Sequence, residues 1–267
     1  MGRIEATFER LRGRGEKALI TFITAGDPDL ETTGELIIEF ERRGADIIEL
    51  GIPFSDPMAD GPTIQAASER ALKGGTHIGN ILALIRKVRK VSEIPIILFG
   101  YYNPIFAYGI DRFARDAKRA GADGVLVVDL PPEEADELKV AADRERLDLV
   151  YLLTPTSDKN RMRLVARRAS GFIYYISVAG VTGARKVVAK SIRGAVKSVR
   201  GVTTLPVCVG FGVSTPDQAG EISRLADGVI VGSAIVKVIE KSAGSPSLVR
   251  SAGNFVARLK KGISNAR

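Results

Sequence analysis

The chain of 267 residues has one cysteine, Cys208, and one histidine, His77. A lone thiol forms no internal disulfide, and one Cys with one His leaves no clustered set for zinc. No run of about 18 apolar residues occurs, and the opening MGRIEATFERLRGRGEK lacks the apolar core of a signal peptide. The expectation is a cytoplasmic protein with no membrane segment and no metal site. A dinucleotide fingerprint is also missing: the first strand signal, Ala18 to Thr24, runs into Ala25-Gly26-Asp27-Pro28. That argues against an open doubly wound sheet, the main rival architecture.

What is present is the balance of a globular protein, with 45% hydrophobic and 26% charged residues. The net charge of +8 is unevenly spread. Residues 1 to 184 hold 25 basic and 27 acidic side chains, whereas residues 185 to 267 hold 14 and 4. In that last third Lys186, Lys190, Arg193, Lys197 and Arg200 follow helical spacing, which fits a solvated outer face. A second use of the excess is a field that steers an anionic substrate. Nucleic-acid binding is not expected, since no stretch interleaves basic residues with exposed aromatics.

Apolar strand signals alternate with helical ones along the chain. Strands are expected at Ala18 to Thr24, Ile47 to Leu50, Ile96 to Phe99, Gly124 to Val128, Leu149 to Leu153, Phe172 to Ser177, Pro206 to Val209 and Gly228 to Val231. Helices are expected between them, including Leu30 to Arg43, Thr63 to Leu72, Ile78 to Val91, Ile105 to Ala120 and Pro132 to Arg146, with a closing helix from Pro246 to Lys261. Eight continuous apolar strands separated by helices predict an α/β fold, the closed parallel (β/α)8 TIM barrel. An extra N-terminal helix, Ile4 to Arg12, caps it. No linker or composition break divides the chain, so residues 1–267 are read as one domain. A weak echo supports the repeat: Gly44-Ala45-Asp46, Gly121-Ala122-Asp123 and Leu225-Ala226-Asp227 each carry a helix end into a strand.

In such a barrel the active site lies at the C-terminal strand ends. Glu49 sits inside the apolar strand Ile47 to Leu50, where an unpaired charge is costly, and Asp60 follows on the next loop. The strand ends offer no lysine for a Schiff base and no cluster for a metal, so carbon–carbon cleavage there is expected to be acid–base chemistry. Gly180-Val181-Thr182-Gly183, Gly210-Phe211-Gly212 and Gly232-Ser233 follow the last three strands, where glycines let N–H groups approach a phosphate. A short helix starting at Ser233 would aim its positive end at that anion. His77, at a helix start, is read as structural.

The stretch ELGIPFSDPMADGPTIQ (49 to 65) resembles the signature of the tryptophan synthase alpha subunit family. TFITAGDP (21 to 28), YYNPIFAYG (101 to 109), VDLPPEE (128 to 134), GVTGAR (180 to 185), GFGVSTP (210 to 216) and VGSAIV (231 to 236) follow it in order. The resemblance implies a lyase that splits indole-3-glycerol phosphate into indole and glyceraldehyde 3-phosphate. It implies Glu49 as general acid/base and Asp60 as the carboxylate that hydrogen-bonds the indole N–H. Glu49 is expected to have a raised pKa, and Asp60, on a polar loop, to stay ionised. Phe22, Ile64, Phe99, Leu126 and Tyr174 would line the indole pocket, although each could equally be ordinary core. Gly183, Phe211, Gly212, Gly232 and Ser233 would hold the phosphate, and Thr182 would meet the aspartate when the lid closes. The family uses no cofactor in this chain. It docks a pyridoxal-phosphate beta subunit in an alpha2beta2 heterotetramer through residues 52–60, Asn103-Pro104 and Pro131-Pro132, with Phe54 and Met58 expected to be exposed for that docking. Val178-Ala179 departs from the lid pattern, and the tail after Lys241 matches no family motif. Rival readings are another phosphate-binding barrel enzyme and a non-catalytic subunit that binds a phosphorylated ligand.

Overall fold

The computed structural model describes residues 1–176, 185–210 and 212–266, without the side chains of residues 185–190. Eight strands pair in parallel and in chain order: β1 Ala18–Thr24, β2 Ile47–Gly51, β3 Ile96–Gly100, β4 Gly124–Val127, β5 Asp148–Leu153, β6 Ile173–Ile176, β7 Val207–Gly210 and β8 Gly228–Val231. The sheet closes on itself where Ala18 of β1 meets Gly228 of β8. Closure explains the apolar character of the strands: a parallel barrel is covered on both faces, and all seven residues of β1 are buried. The expected TIM barrel is therefore the observed fold.

Alternation along each strand sorts the core into two shells. Ile20, Ile47, Ile97, Leu126, Val150, Cys208 and Ile230 point inward and form one cluster with Ile4, Phe8 and Leu11 of α1, Arg3–Gly13. Phe8 meets Phe172 with ring centroids 5.9 Å apart. The extra helix thus plugs the floor of the barrel, as its apolar stripe predicts. The outward residues, among them Leu19, Ile48, Leu98 and Val229, pack under the helical ring. That ring includes α2 Leu30–Arg42, α3 Pro62–Lys73, α4 Ile78–Val88, α5 Tyr102–Tyr108, α6 Ile110–Ala120, α7 Asp136–Glu145, α8 Lys159–Arg168, α9 Arg185–Arg200, α10 Pro216–Ser223, α11 Ser233–Ser242 and α12 Leu248–Ser264.

The Ala-Asp echo has a structural meaning. Asp46, Asp123 and Asp227 each precede a strand and reach back to the first N–H groups of the strand before. Leu19 N–H donates to Asp46, Ile96 N–H to Asp123 and Val207 N–H to Asp227, at 2.9, 2.9 and 3.0 Å. Each carboxylate also takes a cation from the helical ring: Lys260 at 2.6 Å, Arg89 at 2.8 Å and Arg200 at 2.8 Å respectively. The unplaced tail finds its use here. Helix α12 buries Leu248, Ala252, Phe255, Val256, Leu259 and Ile263 against the barrel and delivers Lys260 to Asp46.

Three expected helices have different limits. The segment 105–120 is two helices, because Gly109 adopts φ +92 and breaks α5 from α6. The helix after β4 starts at Asp136 rather than Pro132, since residues 131–134 close a turn with Glu134 N–H on the Pro131 carbonyl. Helix α11 has 10 residues and is not a short appendage. His77 is the N-cap of α4: its Nδ1 accepts from Gly79 N–H at 3.1 Å, and Asn80 returns a bond to the His77 N–H. Among the described residues no helix is long and apolar enough to cross a membrane, and no three His, Cys, Asp or Glu side chains gather as a metal set.

Candidate active site at the barrel mouth

Glu49 shares its rung of the barrel with Phe22 of β1 and Ile97 of β3. Strand alternation puts it on the same inward face as Ile47, and its side chain is 1% exposed. Oε1 has no hydrogen-bond partner among the described residues. With no cation among the described residues to offset the loss of water, burial pushes the carboxyl from its ordinary 4.5 up to about 8. Such a group is protonated at neutral pH yet can give up its proton within the physiological range. Burial likewise drives the Tyr174 hydroxyl upward, with the Glu49 charge adding to the effect, which shows the two groups within electrostatic reach. Two residues past Phe22, Thr24 holds another buried hydroxyl without a partner among the described residues.

The chain leaves β2 through Gly51, where a side chain has no room: a Cβ there would lie 2.7 Å from the Phe22 ring. Ile52 N–H then donates to the Phe99 carbonyl at 2.7 Å, and the Phe54 ring tilts against Tyr101 with centroids 5.3 Å apart. Phe54 is accordingly half-buried rather than exposed, whereas Met58 at the loop tip is 91% exposed. Three contacts fix the loop around Asp60. Ala59 N–H donates to the Tyr101 hydroxyl at 3.0 Å, Gln65 Nε2 donates to the Asp60 carbonyl at 2.9 Å, and the Tyr101 hydroxyl lies within electrostatic reach of the Asp60 carboxylate. Asp60 is less solvated than its loop sequence predicts. Burial raises its pKa, and the nearby Tyr101 hydroxyl only partly opposes that rise.

Phe22 and Phe99 meet edge to face at 5.1 Å and pack with Ile64 and Ala67 of α3 and Val236 of α11. Three of the five proposed pocket residues, Phe22, Ile64 and Phe99, therefore touch in one apolar wall. Leu126 and Tyr174 belong to the inner barrel cluster, which Phe99 joins to that wall. The start of α11 adjoins that wall: a Cβ at Gly232 would lie 3.3 Å from the Phe22 Cβ. Gly232 is the N-cap of α11 and supplies no side-chain cap to the first turn, so the N–H groups that begin at Ser233 face outward with the positive end of the helix dipole. Gly212 holds φ +74, a left-handed conformation suited to glycine. Thr182, Gly183 and Phe211 lie outside the described residues. Sequence reasoning did not single out Tyr101 as a support for Asp60. The two residues are far apart in the chain, and no local pattern joins a strand-end tyrosine to a loop on the preceding unit.

A (β/α)8 barrel with an isolated buried carboxyl, a second acid, an apolar wall and a free helix N-terminus at one mouth belongs to the class of barrel enzymes that bind phosphorylated substrates at their strand ends. Comparison with known proteins narrows the class. The sequence profile of the tryptophan synthase alpha chain family matches residues 8–264. Over 263 residues the chain is 62% identical to the tryptophan synthase alpha chain of Geotalea uraniireducens, covering 98% of both proteins. It is 57% identical to that of Geobacter sulfurreducens, across 99% of this chain and all of the relative. Its fold superposes on the crystal structure of tryptophan synthase subunit alpha from Legionella pneumophila with a TM-score of 0.93, 40% identity and 99% of each chain covered. The chain belongs to the tryptophan synthase alpha chain family.

Proposed function

We propose that the protein cleaves indole-3-glycerol phosphate to indole and glyceraldehyde 3-phosphate by a cofactor-free retro-aldol reaction, with Glu49 as the proton-transfer group. The buried Glu49 carboxyl, its Oε1 without a partner among the described residues and its pKa near 8, carries this reading. Protonated at neutral pH, it donates to C3 of the indole ring, which places positive charge on the ring nitrogen. The Asp60 carboxylate accepts the indole N–H and stabilises that charge. Glu49, now a carboxylate, removes the proton of the side-chain hydroxyl next to C3. The carbon–carbon bond then breaks, its electron pair restores the aromatic ring, and the hydroxyl carbon becomes the aldehyde. One proton enters and one leaves, so no external acid, base or oxidant is consumed.

Phe22, Ile64 and Phe99 supply the apolar wall for the ring, with Leu126 and Tyr174 beneath it. Gly212, Gly232 and Ser233, joined by Gly183 and Phe211, hold the phosphate, and Thr182 closes over Asp60. The chain acts as one cytoplasmic domain and passes indole to a pyridoxal-phosphate beta subunit in an alpha2beta2 assembly. The exposed Met58 and the loop it crowns form part of the docking face. The deciding experiment measures indole release by the purified chain, alone and with a beta subunit, beside a Glu49→Gln variant. Release by the wild type, faster with the partner and lost in the variant, supports the reading. Absence of release under every condition overturns it.

A further inference from the structure

Arg70 lies on α3, two turns beyond Ile64, and its guanidinium joins three segments of the mouth. Nε and Nη2 donate to the two oxygens of Asp27 at 2.7 and 2.9 Å, while Nη1 donates to Glu240 at 3.0 Å. Asp27 is 3% exposed and sits on the loop after β1, the strand that carries Phe22. Glu240 is exposed and stands one turn after Val236 on α11. Helix α3 begins at Pro62, immediately after the Asp60 loop, and α11 begins at the phosphate end. Between those ends the helices touch through Ile64, Ala67 and Val236, apolar side chains whose contact is not directional. A planar fork bonded at three points is directional, and it fixes how far α3 can slide along α11.

We infer that Arg70 is a positioning residue that sets the spacing between the indole-facing Asp60 loop and the phosphate-facing start of α11. The inference rests on the lyase reading, in which one substrate spans both ends. Displacement by about 1 Å between two such ends can cost on the order of a hundredfold in rate. A lysine keeps the charge beside Asp27 but cannot bond Asp27 through both oxygens and Glu240 at once.

The test compares wild type, Arg70→Lys and Glu240→Ala for kcat and KM of indole release, for glycerol 3-phosphate and inorganic phosphate affinity by calorimetry, and for melting temperature. Arg70→Lys is expected to lower kcat/KM at least tenfold, through both constants, and to weaken glycerol 3-phosphate binding severalfold. Glu240→Ala, which leaves the Asp27 fork intact, is expected to raise KM about threefold with kcat within twofold and melting close to wild type. Wild-type kinetics and affinity in both variants, with only a lower melting temperature, reduce the brace to a stability contact and overturn the inference. If Arg70→Lys does not fold, Glu240→Ala decides alone. If the wild type releases no indole, the lyase reading falls and phosphate affinity judges the brace: weaker binding in the variants supports it, unchanged binding or no binding by any protein overturns it.

Discussion

The floor and the mouth of this barrel treat their carboxylates in opposite ways. At the floor, Asp46, Asp123 and Asp227 each accept a strand N–H and face two cations: Lys260 and Arg10, Arg89 and Arg3, Arg200 and Lys17. At the mouth, Glu49 is more deeply buried, at 1% exposure, and faces no cation among the described residues. The consequence appears in the protons. Burial pushes Asp227 up, but the Val207 N–H, Arg200 and Lys17 outweigh it and hold the carboxyl below its usual range. Nothing opposes burial at Glu49, which rises to about 8. A satisfied carboxylate stabilises the fold and is chemically inert, whereas an unsatisfied one costs stability and is available for proton transfer.

The comparison breaks first if Glu49 proves dispensable. Glu49→Gln is expected to lower kcat for indole release by about 10²–10⁴-fold, the span ordinarily supplied by a positioned acid or base, while the variant stays folded and binds glycerol 3-phosphate. At the floor the expectation reverses. Asp123→Ala strands Arg89, whose side chain is only 10% exposed, and orphans the Ile96 N–H. It should cost about 3–5 kcal/mol in urea denaturation. The kcat of the molecules that remain folded should stay near wild type. A floor variant that lost activity without losing stability would contradict the division of labour.

The same contrast explains what could be read from the sequence. Alternation of apolar strands with helices made the barrel legible, because both faces of a parallel sheet are covered and the strands carry that requirement in their composition. Glu49 was legible for a related reason, as one acid within the run Ile47 to Leu50. The Ala-Asp repeats were visible, but their purpose was not, since the cations that satisfy them come from Arg10, Arg89, Arg200 and Lys260, scattered along the chain. Partial burial of Asp60 and the half-buried state of Phe54 escaped for the same cause. Both depend on Tyr101 from the next unit, and loop composition reports only on neighbours in sequence. The break at Gly109 was likewise hidden, because the helical signal of Ile110, Phe113 and Ala117 follows without a gap on that of residues 102–108.

Acid and alkali should strain the two ends differently. Glu49 binds its proton more tightly in the folded state, so the folded protein retains a proton that the unfolded chain has released. Stability therefore falls as pH rises from 4.5 towards about 8, by at most about 1.4 kcal/mol per pH unit. Asp227 has the opposite sign: its contribution is complete above the ordinary carboxylate range and is lost as pH falls through its lowered value. Urea titrations of wild type and Glu49→Gln between pH 5 and about 8 should diverge, with the variant gaining relative stability at the alkaline end. Parallel curves would mean that Glu49 is not the isolated acid described above.

The smallest effect should come from Tyr101→Phe, which tests whether the mouth holds its second acid by design. The hydroxyl accepts from Ala59 N–H at 3.0 Å and faces Asp60, while the ring that tilts against Phe54 is retained in the variant. Losing that hydrogen bond on a partly solvated loop should cost roughly 1 kcal/mol of stability. The larger signal should be kinetic. Without the Tyr101 hydroxyl, Asp60 loses the interaction that opposes its burial, so its pKa should rise further and the acidic limb of the kcat profile should move to higher pH. The expected loss of kcat/KM at neutral pH is about fivefold, equivalent to about 1 kcal/mol. A lower melting temperature with an unmoved acidic limb would show that Tyr101 supports the loop but not the charge on Asp60. Burial alone would then account for the raised pKa of Asp60, as it does for Glu49.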